Sequence, residues 1–152
     1  MQLEVKVDAS LQKLIHKYQS LPEDVDMAVL KGVVRVVEEF RKEVVGRQGL
    51  SKYPRHPEGT PTPSPAGDPP AQVTGRLFKS VKAGPPVRVK QAHYKVSIGP
   101  QKVPYARAQE LGNPKQNLPA RPYMAPARER LLRRSSTIYF NEVRRVLTGK
   151  KG

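Results

Sequence analysis

Hydrophobic positions recur at helical spacing near both ends of this chain and alternate over a short region between. Leu3, Val5 and Val7 alternate with Glu4 and Lys6, the pattern of a short half-buried strand. Asp8 or Ser10 then caps a predicted helix carrying Leu11, Leu14, Ile15 and Tyr18, which ends before Pro22. Ser20 and Glu23 are spaced as a capping box, and proline is tolerated in a first helical turn, so a second helix is predicted from there to about Val45. Val25, Val29, Val33, Val36, Val37, Phe40 and Val44 form its apolar stripe, widened by Met27, Leu30 and Val34. That breadth predicts a helix sandwiched in the core or shared with a neighbouring subunit.

The pattern then lapses. Residues 46–72 hold seven prolines and three glycines beyond Gly46, with almost no aliphatic side chain, and predict a mobile or extended loop or an arm laid on a partner. Thr74 caps a short turn presenting Leu77 and Phe78 to the core. Three strand-like runs follow at 81–83, 87–90 and 94–99, separated by Gly-Pro-Pro and Gln-Ala-His turns, and read as an antiparallel meander.

From Val103 to Ala127 the chain reads as a short helix, a stop and a stiff connection into another helix. Tyr105, Ala106, Ala108 and Leu111 supply an apolar face, and Gly112-Asn113-Pro114 supplies the stop. Pro119 and Pro122 hold the chain extended around Arg121. One long helix is predicted from near Pro122 to about Leu147, with Pro126 delaying its start or kinking it and Arg-Arg-Ser-Ser at 133–136 weakening its stripe. The expected fold is α+β: one domain over 1–152, with N-terminal helices, a small antiparallel sheet, and a long C-terminal helix packed on it.

The net charge of +15 is unevenly spread. Residues 1–45 carry 7 Lys and Arg against 8 Asp and Glu, residues 46–99 carry 9 against 2, and residues 100–152 carry 12 against 3. This basic body predicts a polyanionic neighbour, either nucleic acid or an acidic protein surface. With no cysteine, thiol chemistry and disulfides are excluded, and His16, His56 and His93 lack metal-ligand spacing. There is no Gly-rich phosphate loop and no nucleophile elbow, and Glu38, Glu39 and Glu43 read as solvated ion pairs among Lys and Arg. We therefore expect no enzyme activity and no cofactor. The start of the chain is too polar for a signal peptide and no apolar run approaches a membrane span, so synthesis in the cytoplasm is expected.

Three pieces stand in a familiar order. They are Pro65 to Pro70 leading to Thr74-Gly75-Arg76-Leu77-Phe78-Lys79-Ser80-Val81; Tyr105-Ala106 with Glu110-Leu111-Gly112; and Ala120-Arg121-Pro122-Tyr123-Met124 with Pro126-Ala127. The series resembles the tail-component family of long-tailed double-stranded-DNA bacteriophages and prophages, over about residues 10 to 147. Val81 stands where isoleucine is usual, Tyr123 where phenylalanine is usual, Gln109 where an aromatic or aliphatic residue is common, and the proline-rich loop is long.

The resemblance implies a structural virion protein of the neck: a tail-completion, head–tail joining protein forming a homo-oligomeric ring, expected to be a hexamer. Implied neighbours are the adaptor or head-completion protein and the tail terminator or tail tube protein, with non-specific contact to DNA in the channel. A tail terminator capping the tube is the alternative, and a non-viral basic nucleic-acid-binding protein a further one. The expected contact or motif residues are Thr74, Gly75, Leu77, Ser80, Tyr105, Glu110, Gly112, Arg121, Pro122, Tyr123 and Ala127. Within them, Tyr105 and Leu111 are expected to pack the short helix against the meander. Glu110 is a candidate partner for Arg121, the alternative being that each faces solvent separately.

Overall fold

A computed structural model describes residues 23–53 and 64–149. The strand at 2–7, the first predicted helix, Ser20 of the capping box and the middle of the proline-rich stretch lie outside those residues. Helix α1 runs Glu23–Val45, with Glu23, Asp24 and Asp26 in its first turn and Lys42 in its last, both favourable to the helix dipole. Val29, Val33, Val36, Val37, Phe40 and Val44 are buried as the helical period requires, joined by Ala28. The widening residues behave differently: Leu30 and Val34 are half-buried and Met27 is 48% exposed.

The proline-rich stretch starts later than its composition implies. After α1 the chain turns back tightly, Gly49 N–H donating to Gly46 O at 2.9 Å and Leu50 N–H to Val44 O at 2.8 Å. Leu50, the single aliphatic side chain there, is thereby buried. Gly49 and Leu50 thus face the interior, while Arg47, Gln48 and Lys52 stay exposed.

Next come α2 (Arg76–Ser80) and four short strands, β1 (Val81–Ala83), β2 (Val87–Lys90), β3 (His93–Lys95) and β4 (Ile98–Pro100). They do not form the expected meander. β1 pairs with β4 and β2 with β3. Around the first ladder Gln101 N–H donates to Ser80 O at 2.9 Å and Gly84 N–H to Ser97 O at 2.7 Å, while in the second Val87 faces Lys95 and Arg88 faces Tyr94. Partner numbers fall as positions rise, so the chain runs out and returns as one interrupted antiparallel hairpin. A register shift between Arg88 and Lys90 bends its tip, where Ala92 takes a left-handed φ of 52°. Alternation alone could not distinguish two long strands with a break from three short ones.

Helix α3 (Ala106–Leu111) and a 3₁₀ turn (Pro114–Gln116) precede α4 (Met124–Leu132) and α5 (Ser135–Leu147). The single long C-terminal helix is thus two. The break falls at Arg133 and Arg134, inside the Arg-Arg-Ser-Ser run, where Arg134 leaves helical geometry at φ −128°, ψ −1°. Serine competes for backbone hydrogen bonds in helix interiors and favours ends, which suits Ser135 at the head of α5. The fold is α+β.

By contact density the chain divides into two units. The first takes its described residues from 23–38, 83–98 and 134–149. Its buried side chains include Val29, Val33, Val36, Val37, Ile98 and Tyr139. Asp26 ties helix to hairpin there: its carboxylate accepts Ala92 N–H at 2.7 Å and the Tyr94 hydroxyl at 2.5 Å, with Arg88 at 3.4 Å. The Tyr139 ring lies so close to Gly32 that a Cβ there would approach it to 2.8 Å. Burial pushes the Tyr139 phenol up to about 12. The second unit takes 39–53, 64–82 and 99–133. Its buried side chains include Phe40, Val44, Leu50, Val81, Tyr123, Met124 and Leu131. Arg41 Nε donates to Val81 O at 3.0 Å, and Arg130 holds Glu43 through Nε at 2.9 Å. Glu43 is therefore an interhelical partner, not the solvated helix-surface pair expected.

Two outcomes follow for the first unit. Burial opposes ionisation of Asp26, but the Tyr94 and Ala92 hydrogen bonds and the Arg88 charge outweigh it and bring its carboxyl below the ordinary value. A lowered folded value means the contribution is complete above the unfolded value near 3.8 and is lost as pH falls through the lower, folded one. Asp26→Asn should cost about 1–2 kcal/mol at pH 7 in denaturant titrations, the gap from the parent closing as pH drops below about 4. Gly32→Ala should lower stability by about 1–3 kcal/mol in the same titrations through overpacking against Tyr139.

Candidate functional site

The resemblance-bearing residues all fall within the second unit, and its backbone hydrogen bonds show why they are these residue types. Met124 opens α4, so the N–H groups of Tyr123, Met124 and Ala125 have no acceptor within the helix. The next residue, Pro126, has no N–H at all. One side chain satisfies all three donors: Glu110 Oε2 accepts from Tyr123 at 2.8 Å and Met124 at 3.0 Å, and Oε1 accepts from Ala125 at 2.9 Å. Its negative charge also lies at the positive end of the helix dipole. Glu110 is only 8% exposed, and these bonds are what make its burial tolerable.

Arg121 serves a different network. Its Nε donates to Ser64 O at 2.9 Å and one Nη more weakly to Pro119 O at 3.5 Å, while its own N–H donates to Gln109 O at 2.6 Å. Nearby Gly67 N–H donates to Ala120 O at 2.9 Å. The stiff segment 119–122 is thus stitched on one side to α3 and on the other to residues 64–67. Both sequence-level alternatives for Glu110 and Arg121 fail: the two are neither paired with each other nor in solvent. Each is buried and spends itself on backbone groups.

Between the two, the chain must reverse sharply. Gly112 ends α3 at φ 75°, ψ 172°, and a Cβ there would lie 2.9 Å from Ala120 N and 3.0 Å from Leu118 O. Asn113 and Leu118 then exchange both backbone hydrogen bonds, at 2.8 and 3.0 Å, closing a loop around the 3₁₀ turn. Tyr123 is 1% exposed and its hydroxyl donates to Ala106 O at 3.4 Å. Burial, with the Glu110 and Tyr105 charges adding to it, holds this phenol well above its ordinary range. Ala127 is fully buried and Pro122 half-buried.

The expected packing of Tyr105 and Leu111 is not found: they are 40% and 64% exposed, and Ala106 and Glu110 face inward in their place. In the first motif Gly75 takes a left-handed φ of 71°, and it, not Thr74, is the cap residue of α2. Thr74 Oγ1 accepts Arg76 N–H at 3.3 Å, a turn-type contact. Leu77 and Ser80 are buried, the Ser80 hydroxyl donating to Leu77 O at 2.6 Å. Thr74, Gly75, Leu77, Tyr105 and Arg121 line a single cavity of about 510 Å³. Ser80, Gly112, Pro122, Tyr123 and Ala127 do not border it.

Ser64 lies outside the residues that the sequence pattern marks, and Gly67 and Asp68 enter only as part of the Pro65 to Pro70 piece. Asp68 accepts Lys52 Nζ at 2.7 Å and the Tyr53 hydroxyl, and these bonds hold its carboxyl below the ordinary range. The Gly-Asp pair inside a proline run was a usable turn signal. Nothing local marked Ser64, whose role lies in its backbone carbonyl. Among the described residues no three His, Asp or Glu side chains are grouped as a metal site requires, and no helix is long and apolar enough to cross a membrane.

Glu110→Gln keeps the size of the side chain but turns an amide group toward backbone donors. It should cost about 2–3 kcal/mol in thermal or denaturant unfolding, and Glu110→Ala more, because three N–H groups then lack an acceptor. Gly112→Ala should cost about 1–3 kcal/mol for its φ and its collision with Ala120, measured in the same way.

Comparison with known proteins returned no matching family model, no matching curated sequence and no matching solved structure.

Proposed function

We propose that this chain is a structural, non-catalytic virion protein of the bacteriophage neck, assembling as a ring that joins the portal–adaptor complex to the tail tube and lets DNA pass. The observation carrying this reading is the convergence of the three resemblance-bearing pieces. Residues from the first and second line one cavity with Arg121 of the third, while Glu110 of the second caps the helix that the third begins. Pieces separated by up to about fifty residues of sequence thus act as one structural node, as parts of a single family signature would.

Two surface properties support an assembly role. Tyr105, Leu111, Val87, Val89, Leu132 and Leu147 are large apolar side chains left substantially exposed, and a neighbouring subunit would cover them. The +15 charge suits acidic faces on adjoining rings, or DNA in a channel. Virion location and host-cytoplasmic assembly belong to the same proposal.

Native mass spectrometry and light scattering on the purified chain test it directly. A closed oligomer, with a ring in negative-stain images, is the expected result. A strict monomer at high concentration that does not assemble on adaptor or tail tube protein would count against it. Steep loss of DNA affinity with salt by such a monomer would favour the nucleic-acid-binding alternative. Leu111→Glu should leave the circular dichroism spectrum unchanged and weaken self-association by about tenfold or more, as expected for a charge placed in an apolar contact.

A further inference from the structure

The cavity that Arg121 borders is a recognition site by its own chemistry. We propose that it binds a peptide segment of another protein, taking the carboxylate of an acidic side chain against Arg121 and a neighbouring apolar side chain against its hydrophobic wall. The inference is independent of ring formation, since a monomer with this cavity would bind and a ring lacking it could assemble.

Four observations converge. First, Arg121 is 8% exposed and forms no ion pair among the described residues; Glu110, at the other end of the same reversal, is committed to the α4 N–H groups. A guanidinium carries five N–H donors, and among the described residues only two here have acceptors, one of them at 3.5 Å. A buried cation held only by carbonyl groups lacks the counter-charge that ordinarily offsets its desolvation. Second, Ser64, which borders the same cavity, is 4% exposed, and its Oγ is buried with no hydrogen-bond partner among the described residues. The Arg121 guanidinium and the Ser64 hydroxyl are together the donor set a carboxylate requires.

Third, among the described residues the lining carries two arginines, Arg76 and Arg121, and no carboxylate, while Leu50, Leu77, Phe78 and Leu118 supply apolar surface. At about 510 Å³ the space lies within the roughly 300–1,000 Å³ of ligand pockets. A phosphodiester backbone would find little use for such walls. Fourth, residues 70–72 run along the cavity without regular secondary structure, and no hydrogen bond among the described residues uses the N–H of Ala71 or Gln72. Free main-chain groups beside a side-chain pocket are what an extended peptide exploits.

The test uses the full chain, isotope-labelled for NMR, with three probes. These are the capped pentapeptide acetyl-Ala-Leu-Glu-Phe-Ala-amide, its glutamine analogue, and 4-methylpentanoate as a free carboxylate. The glutamate peptide should shift the amides of Gly75, Leu77 and Leu118, and the glutamine analogue should bind at least about tenfold more weakly. Arg121→Lys should reduce affinity by a similar factor, lysine being unable to offer a planar fork. Should that variant not fold, Ser64→Ala decides: it removes an unpartnered oxygen, so it should fold normally and bind at least about threefold more weakly. Equal binding of the two peptides, shifts confined to other surfaces, no binding at millimolar peptide, or unchanged affinity in Ser64→Ala would each overturn the proposal. So would 4-methylpentanoate binding as tightly as the peptide, which would assign the site to a small molecule.

Discussion

One carboxylate sets the conformation of the motif-bearing unit. Glu110 gathers three backbone donors that would otherwise be buried without acceptors, and through them fixes where α4 begins. A helix usually finds its cap in the residue just before it. Here Tyr123 occupies that position and its side chain makes no capping bond, so the acceptor comes from thirteen residues earlier. The start of α4 and the end of α3 are consequently one event: neither helix has its observed boundary without the other. Gly112 allows the reversal between them, and Pro126 removes the one further donor that a two-oxygen acceptor would have had to serve.

The first unit uses the same device with different residues. Asp26, in the first turn of α1, accepts a backbone N–H and a tyrosine hydroxyl from the tip of a hairpin more than sixty residues away. Carboxylates are scarce in this chain, 13 against 28 lysines and arginines. Several of them, Asp26, Glu43, Asp68 and Glu110 among them, are spent on internal connections. Three of the four also face a lysine or arginine, so each connection joins a carboxylate to a cation as well as to a hydrogen-bond donor.

Much of the architecture was legible in the residue pattern. The stripe on α1 and the stop at Gly112 are readable, because each depends on local periodicity or backbone conformation; at Arg133 to Ser136 the residues predict only a weaker stripe on one continuous helix, where the structure has two. Three features were not. Alternation predicts a meander where the structure has a hairpin, because strand alternation carries no information about partners. Glu110 and Arg121 were matched as opposite charges, whereas both had unsatisfied backbone groups closer at hand; pairing by charge overlooks that main-chain donors and acceptors are more numerous and must be satisfied when buried. Tyr105 and Leu111 were assigned to the interior on hydrophobicity, yet a six-residue helix buries only one narrow face, and in α3 that face holds Ala106 and Glu110.

The contacts that secure residues 52, 53, 64, 67 and 68 divide the work of holding two short pieces of chain. Lys52 and Tyr53 meet Asp68, and Ser64 and Gly67 are held by Arg121 and Ala120. Residues 64–68 are therefore anchored twice, once through the Asp68 carboxylate and once through backbone groups. Screening by salt weakens the first anchor and leaves the second, so that high ionic strength would loosen residues 52–53 before it loosens the 119–122 segment.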